Sequence, residues 1–223
     1  MRTLGLVLAG VLIFGGAAFA TDVTFDMYSG GYETVSCPVV AINPEPSAVF
    51  NGLDFENGSP SLSRFDAVTK GMVTYDYWSQ PDAAFGGILL GDGYQVWNDG
   101  AGSGTNTISD YIADGVPSAG LKTDMWISLP KAGWSLIGVP YNTPVVIEQE
   151  TGEPIYFTDG KQMLRWDAAV GAGWLGDNIQ RFNGAGWTLS GFQYVDEDQL
   201  TPGKGYYIYT NIDNLAMVIK AQN

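Results

Sequence analysis

The chain has 223 residues, with 10 basic against 24 acidic side chains, a formal net charge of −14 and no histidine. A chain this acidic repels nucleic-acid phosphates and anionic lipid surfaces, so nucleic acid is excluded as a partner. The lack of histidine excludes Ser-His-Asp and Cys-His catalysis, and also His-ligated zinc sites.

The first 20 residues have the layout of a secretory signal peptide. Arg2 precedes the apolar run Leu4–Phe14, and Ala18 and Ala20 supply the small residues that a signal peptidase recognises. The run is shorter than the roughly 20 residues that a spanning helix needs, which disfavours a membrane anchor. We predict cleavage before Thr21 and an exported protein (extracellular, cell-surface or periplasmic) without stable membrane insertion after cleavage.

The composition of the remaining chain is typical of β structure. The 30 glycines and 11 prolines punctuate short elements, and aromatic residues, 13% of the chain, favour half-buried strands. Apolar runs bounded by turn residues predict strands at Met72–Trp78, Gly93–Trp97, Trp134–Val139 and Gly205–Thr210. Helical spacing occurs over Asp159–Val170, with Asp159 as its cap. The predicted fold class is all-β with at most one short helix.

Cys37 is the only cysteine of the chain, so no internal disulfide can form. It lies within an apolar run and is predicted to be a buried, inert thiol. An intermolecular disulfide is the alternative.

Three sequence blocks recur in the same order in the two halves of the chain. The matched pairs are Gly31–Pro38 with Gly133–Pro140, Leu62–Ala67 with Met163–Ala168, and Gly91–Trp97 with Gly203–Tyr209. They predict two tandem, related β subdomains, 21–120 and 121–223, with a pseudo-twofold relation between them. Extra residues around Gly184–Asp198 in the second half predict a long surface loop.

Two segments of the second half resemble a signature of poorly characterised exported bacterial proteins. They are Trp126–Gly138 (WISLPKAGWSLIG) and Leu200–Ile208 (LTPGKGYYI). Such proteins carry a glycine-aromatic-x-leucine-isoleucine strand and a later proline-glycine-x-glycine-tyrosine strand, often as modules attached to other domains. Tyr207 stands where tryptophan is more usual. The resemblance implies an exported β-rich repeat module and no established chemistry.

Two glycine motifs look like the start of a phosphate-binding loop, Gly91-Asp92-Gly93 and Gly203-Lys204-Gly205. Each leads into a predicted strand, whereas a phosphate-binding loop opens a helix whose N-terminal amides hold the phosphate. We interpret both as tight turns in which glycine supplies a positive φ.

The acidic residues leave two hypotheses open. Paired carboxylates would make a histidine-free hydrolase, and its candidates are Asp54, Glu56, Asp76, Asp92, Asp196, Glu197 and Asp198. No spacing singles out a pair, so solvated surface acids are the simpler interpretation and no catalytic residue is assigned. Asp196-Glu197-Asp198 makes calcium the one cofactor left open, although the segment lacks the glycine and final glutamate of a helix-loop-helix calcium site.

Alternation along the aromatic strands separates a core face from an outer face. The residues expected to face the core are Tyr94, Val96, Trp134, Leu136, Tyr206 and Ile208. Trp97, Tyr207 and Tyr209 fall on the other face, where flat rings can stack on sugars or on a partner protein. Packing beneath a further layer of the protein is the alternative.

These observations favour a non-catalytic, exported surface or structural interaction module. Its partners would be other surface proteins, a second copy of the chain or glycans. One alternative is a carbohydrate-binding module that uses Trp97, Tyr207 and Tyr209, and the other is the histidine-free hydrolase.

Overall fold

A computed structural model shows a protein built mostly from antiparallel sheets. The structure describes residues 22–27, 30–56, 61–79, 81–98, 105–109, 112–113, 116–117, 123–147, 154–182, 192–194 and 199–221. The predicted all-β class is confirmed. The limit of one short helix is wrong, because helices α1 (Pro46–Val49) and α2 (Trp166–Gly171) and a 3-10 turn (Tyr77–Ser79) are present. No helix in these described ranges is long and apolar enough to cross a membrane.

The first half of the chain forms the earlier strands. They are β1 (Asp22–Asp26), β2 (Gly31–Ser36), β3 (Ser61–Asp66), β4 (Gly71–Thr74), β5 (Gly93–Asn98), β6 (Thr105–Ser109), β7 (Ile112–Ala113) and β8 (Val116–Pro117). Four of them make a sheet in the order β2-β5-β3-β4, and the others pair as β1-β6 and β7-β8.

The second half forms the later strands. They are β9 (Met125–Leu129), β10 (Gly133–Gly138), β11 (Val145–Val146), β12 (Ile155–Thr158), β13 (Met163–Arg165), β14 (Leu175–Phe182), β15 (Phe192–Tyr194), β16 (Gln199–Leu200), β17 (Gly205–Thr210) and β18 (Leu215–Ile219). They make two four-stranded sheets, β10-β17-β14-β15 and β13-β12-β18-β9, and the pair β11-β16.

The predicted strands at Gly93–Trp97, Trp134–Val139 and Gly205–Thr210 agree with β5, β10 and β17 to within about a residue, the usual uncertainty of element ends. The strand predicted over Met72–Trp78 is too long, because β4 ends at Thr74. The chain then turns at Asp76, whose carboxylate accepts hydrogen bonds from the backbone N–H of Trp78 and the hydroxyl of Ser79.

The helix predicted over Asp159–Val170 is also shorter than expected. Asp159 Oδ1 accepts hydrogen bonds from Lys161 N (2.9 Å) and Gln162 N (3.0 Å), so it caps the turn between β12 and β13 instead of a helix. Helix α2 begins only at Trp166. The loop predicted around Gly184–Asp198 contains strand β15, which pairs with β14; residues 183–191 and 195–198 lie outside the described residues.

The two sheets β2-β5-β3-β4 and β10-β17-β14-β15 share one strand order, and their leading pairs share one register. Val35 lies opposite Tyr94 in the first sheet, and Ile137 lies opposite Tyr206 in the second. The first and third sequence blocks therefore occupy matching places. The pseudo-twofold relation as a whole and the boundary between 21–120 and 121–223 stay predictions.

The match predicted between the middle blocks is wrong. Phe65 lies in β3, whereas Trp166 begins helix α2. Strand β14 takes the place of β3 in the second sheet, since Leu62 lies opposite Val96 and Ile179 lies opposite Ile208. A shared arginine-aromatic-aspartate triplet carries no information on strand pairing, which depends on the apolar side chains that reach the core.

Each half has its own hydrophobic core. The first core includes Val35, Phe50, Leu62, Phe85 and Tyr94, all fully buried. The second core includes Ile137, Ile155, Phe157, Ile208 and Met217, also fully buried. Tyr94 and Tyr206 satisfy their buried hydroxyl groups in the same way, by accepting a hydrogen bond from the backbone N–H five residues earlier, at Leu89 and Thr201.

The predicted buried thiol of Cys37 is confirmed. The residue is 1% exposed in the first core, and its Sγ donates a hydrogen bond to Val39 O (2.9 Å). A thiol in this position behaves as a small apolar side chain.

The predicted strand phase holds for β5 and β17 but is wrong for β10. Trp134 is 39% exposed, and Leu136 is buried outside both cores while its neighbour Ile137 takes the core position. Leu136 lies against Gly93 of the other half. Both faces of β10 are therefore apolar over this stretch, and alternation alone does not identify the core face.

The two halves meet along a seam of reciprocal backbone hydrogen bonds. Ser36 N in β2 donates to Gly203 O (3.0 Å), and Gly138 N in β10 donates to Gly91 O (2.8 Å). Gly91 and Gly203 have φ values of +86° and +79°, which confirms the interpretation of both glycine motifs as tight turns. Each turn is thus hydrogen-bonded to a strand of the other half.

Glycine is required where the halves approach most closely. A Cβ atom on Gly138 would lie 2.4 Å from Asp92 O, and one on Gly205 would lie 2.7 Å from Val35 O. Side chains add to the seam, because Lys204 Nζ forms an ion pair with Glu33, which is only 4% exposed. Breaking such a buried pair by removing one partner is strongly destabilising.

Candidate functional site

Of the three aromatic residues predicted to bind a ligand, Trp97 packs against a neighbouring ring of its own half. Its ring is half-buried, and its centroid lies 4.7 Å from that of Tyr32. Tyr32 in turn contacts Phe182 of the second half at 5.9 Å. Trp97 is therefore a half-buried ring beside a residue that contacts the second half.

Tyr207 is also half-buried at the junction of the halves. Its ring contacts Trp134 at 6.3 Å and, from the first half, Phe65 at 6.5 Å. Burial raises the pKa of the Tyr207 hydroxyl. This residue is placed to join the halves and presents little of its ring to solvent.

Tyr209 is the exposed member of the three, and it pairs with a residue expected in the core. Tyr209 and Trp134 are 38% and 39% exposed, and their centroids are 5.1 Å apart in an edge-to-face arrangement. The structure therefore brings Tyr209 together with Trp134 on a solvent-facing surface and leaves Trp97 elsewhere.

A lysine from the first half fixes the backbone beneath this aromatic pair. Lys70 Nζ donates hydrogen bonds to Trp134 O (2.8 Å) and Lys131 O (2.9 Å). Burial lowers the pKa of Lys70, partly offset by the charge of Asp213. The Trp134–Tyr209 pair is thus held on a rigid support that both halves build.

A second aromatic surface lies on the outer face of the sheet β13-β12-β18-β9. Trp126 in β9 is 60% exposed, and it borders an open depression of about 310 Å³ that we call the Trp126 groove. The polar residues that line the groove and matter below are Ser128, Thr158, Asp159 and Asn214. Its floor is low because Ala216, a small residue, lies between Ser128 and Thr158 in neighbouring strands.

The polar groups of the Trp126 groove are held in place by the backbone. Gly160 N donates to Thr158 Oγ1 (3.0 Å), and the turn amides bound by Asp159 Oδ1 lower the pKa of that carboxyl. Asn214 has a φ of +61°, and its backbone N–H donates to Pro130 O (3.0 Å). Two turns, one after β12 and one after β17, therefore place Thr158, Asp159 and Asn214 around one exposed indole.

Strand alternation could have identified the Trp126 groove in part. In Met125–Leu129 the residues Ile127 and Leu129 are buried, so Trp126 and Ser128 must face outward. No local pattern identifies the other polar members, which come from turns after β12 and β17. They reach Trp126 only through the pairing of β9 and β12 with β18.

Of the candidate carboxylates, Asp76 is bound in its own turn by Trp78 N and the Ser79 hydroxyl. Asp54, Glu56 and Asp76 are exposed, and Asp92 is half-buried at the seam. Burial raises the pKa of Asp92, and Arg64 partly offsets the effect. Asp196, Glu197 and Asp198 lie outside the described residues, and among those that are described no cluster of acidic or cysteine side chains is placed to hold a metal ion.

Comparison of the chain with protein-family models, with curated proteins and with solved structures gives no match. The resemblance of Trp126–Gly138 and Leu200–Ile208 to exported bacterial proteins therefore stays a prediction. Both segments have clear positions: the first spans β9 and β10, and the second runs from β16 into β17.

Proposed function

We propose that the protein is a non-catalytic exported module that binds other surface components through exposed aromatic side chains on its sheets. The observation that carries the proposal is the Trp134–Tyr209 pair, two large rings left open to solvent on strands that pair along their full length. Tyrosine and tryptophan contribute much of the binding energy at interfaces, since they bury large areas at low cost in conformational entropy.

The rigid seam between the halves supports the same proposal. Paired strands, reciprocal backbone hydrogen bonds and the Glu33–Lys204 ion pair hold this surface in one arrangement. A binding surface that is already ordered loses less entropy on association. Of the residues put forward for carbohydrate binding, only Tyr209 is exposed, whereas Trp97 and Tyr207 are half-buried against other rings.

The test is co-sedimentation of the mature chain, 21–223, with washed bacterial envelope fragments. We expect the wild-type protein in the pellet and a several-fold lower bound fraction for the double variant Trp134→Ala/Tyr209→Ala, with unchanged circular dichroism. A parallel screen with glycoside and ester substrates should stay at background. A wholly soluble wild-type protein, or turnover that a single Asp or Glu substitution abolishes, would contradict the proposal.

A further inference from the structure

We propose that the Trp126 groove binds a neutral saccharide chain. The inference rests on the proposed non-catalytic binding function and assigns it a ligand class and a site distinct from the Trp134–Tyr209 pair. Trp126 supplies the platform, because it is 60% exposed while Ile127 and Leu129 on either side of Ser128 anchor the strand in the second core. The electron-rich face of an indole attracts the apolar C–H face of a pyranose ring.

The polar groups around the indole match the hydroxyl groups of a sugar. A sugar hydroxyl both donates and accepts, so a saccharide site needs both kinds of partner. Asn214 offers a carbonyl oxygen and an NH₂ group, Ser128 offers an exposed hydroxyl, and Asp159 offers carboxylate oxygens. Asp159 Oδ2 makes no hydrogen bond within the described part of the chain, which leaves it available to a ligand.

The groove is prepared for a ligand before one binds. The side chains of Thr158 and Asp159 are fixed by turn hydrogen bonds, and a left-handed backbone fixes where Asn214 projects, so less conformational entropy is lost on binding. A volume of about 310 Å³ lies at the lower end of the range for small-ligand sites. The groove lies on an open sheet face, which allows a polymer to continue beyond the sugar that it holds.

Charge decides which saccharides fit. The chain has a net charge of −14, and the lowered pKa of Asp159 keeps an ionised carboxylate in the groove at neutral pH. Uronate, sulfate and phosphate groups would meet repulsion there. A protein partner is less well matched, because one indole surrounded by polar groups lacks the roughly 800 Å² per side of a standard protein interface.

The test is native electrophoresis of the mature chain through gels that contain a soluble polysaccharide. The negative charge carries the protein toward the anode, and binding to an immobile neutral polymer slows it. We expect retardation by at least one of β-glucan, xylan and galactomannan, and none by alginate or polygalacturonate. Trp126→Ala should weaken binding at least about tenfold, as expected for a central aromatic contact.

Two further variants separate binding from folding. Asn214→Gly keeps the left-handed backbone, at φ +61°, but removes the amide, so we expect several-fold weaker binding with unchanged circular dichroism. Trp78→Ala removes an exposed tryptophan of the first half, 74% exposed, and should bind like wild type.

The outcomes distinguish this inference from the proposed function. Wild-type retardation of Trp126→Ala and Asn214→Gly, with loss in Trp134→Ala/Tyr209→Ala, would overturn the site but leave the binding module intact. Envelope co-sedimentation without retardation by any neutral polymer would overturn the saccharide class alone, in favour of a protein partner. Retardation only by the acidic polymers would overturn the charge argument and the inference with it.

Discussion

Replacing Gly138 by alanine tests whether the seam contributes to stability. A Cβ atom there would lie 2.4 Å from Asp92 O and 2.5 Å from Ser36 Cβ, closer than side chains approach such atoms. Strand β10 must then shift away from the turn before β5, and the hydrogen bond from Gly138 N to Gly91 O (2.8 Å) is strained or lost.

The expected loss follows from these two effects. Overpacking at a tight contact costs about 1–3 kcal/mol. A buried backbone group left without its partner costs about 1–3 kcal/mol more. We expect Gly138→Ala to lower the free energy of unfolding by about 2–6 kcal/mol, a large part of the roughly 5–15 kcal/mol that a domain has.

The assay is guanidinium denaturation of residues 21–223, followed by tryptophan fluorescence and far-UV circular dichroism. Gly171→Ala is the matched control, because nothing lies within 4 Å of its added Cβ and it ends helix α2. Alanine favours a helix over glycine by about 1 kcal/mol, so the control should be as stable as wild type or slightly more so. If the free energy of unfolding of Gly138→Ala lies within about 0.5 kcal/mol of wild type, a range typical of surface changes, the seam accommodates the added methyl group without loss of stability. That result would refute the prediction.

Three other predictions concern the core, the pH dependence and the processing of the chain. Ile208→Ala should lower the free energy of unfolding by about 2–5 kcal/mol, measured by thermal or chemical denaturation. Tyr207 is half-buried between the halves, so Tyr207→Ala should lower it by only about 1–2 kcal/mol. A larger loss for Tyr207→Ala than for Ile208→Ala would mean that β17 faces the other way. Burial raises the pKa of Asp92. The ionised carboxylate therefore destabilises the folded state above that pKa, and protonation at acid pH removes this destabilisation. Asp92→Asn should therefore melt higher than wild type near neutral pH, with the difference vanishing below about pH 4, where both side chains are neutral; a less stable variant at neutral pH would contradict this. Mass spectrometry of the exported protein should find an N-terminus at or near Thr21, and recovery of intact Met1 from the membrane fraction would exclude cleavage.

Local physical chemistry explains why several features could be predicted from the sequence. In Gly205–Thr210 the side chains of Tyr206 and Ile208 reach the same face of the strand, and both are in the core. Gly203 precedes an aromatic strand and adopts the positive φ that glycine tolerates. Cys37 lies in an apolar run and is buried. Each of these predictions needed only a residue and its immediate neighbours.

The face of β10 and the members of the candidate site depended on contacts between distant segments. Leu136 and Ile137 are both apolar, so the sequence could not tell which one enters the second core and which one packs on Gly93 of the other half.

The sequence by itself determined the all-β class, the short strands, the turn glycines and the phase of strands with one apolar face, because these follow from chain-local sterics and alternation. Tertiary structure alone decided that Tyr207 packs between the halves, that Trp134 stays open, and that Trp126 shares a groove with Asp159 and Asn214. The reason is that a second sheet covers part of the outer face of the first, and strands far apart in the chain bring the groove residues together.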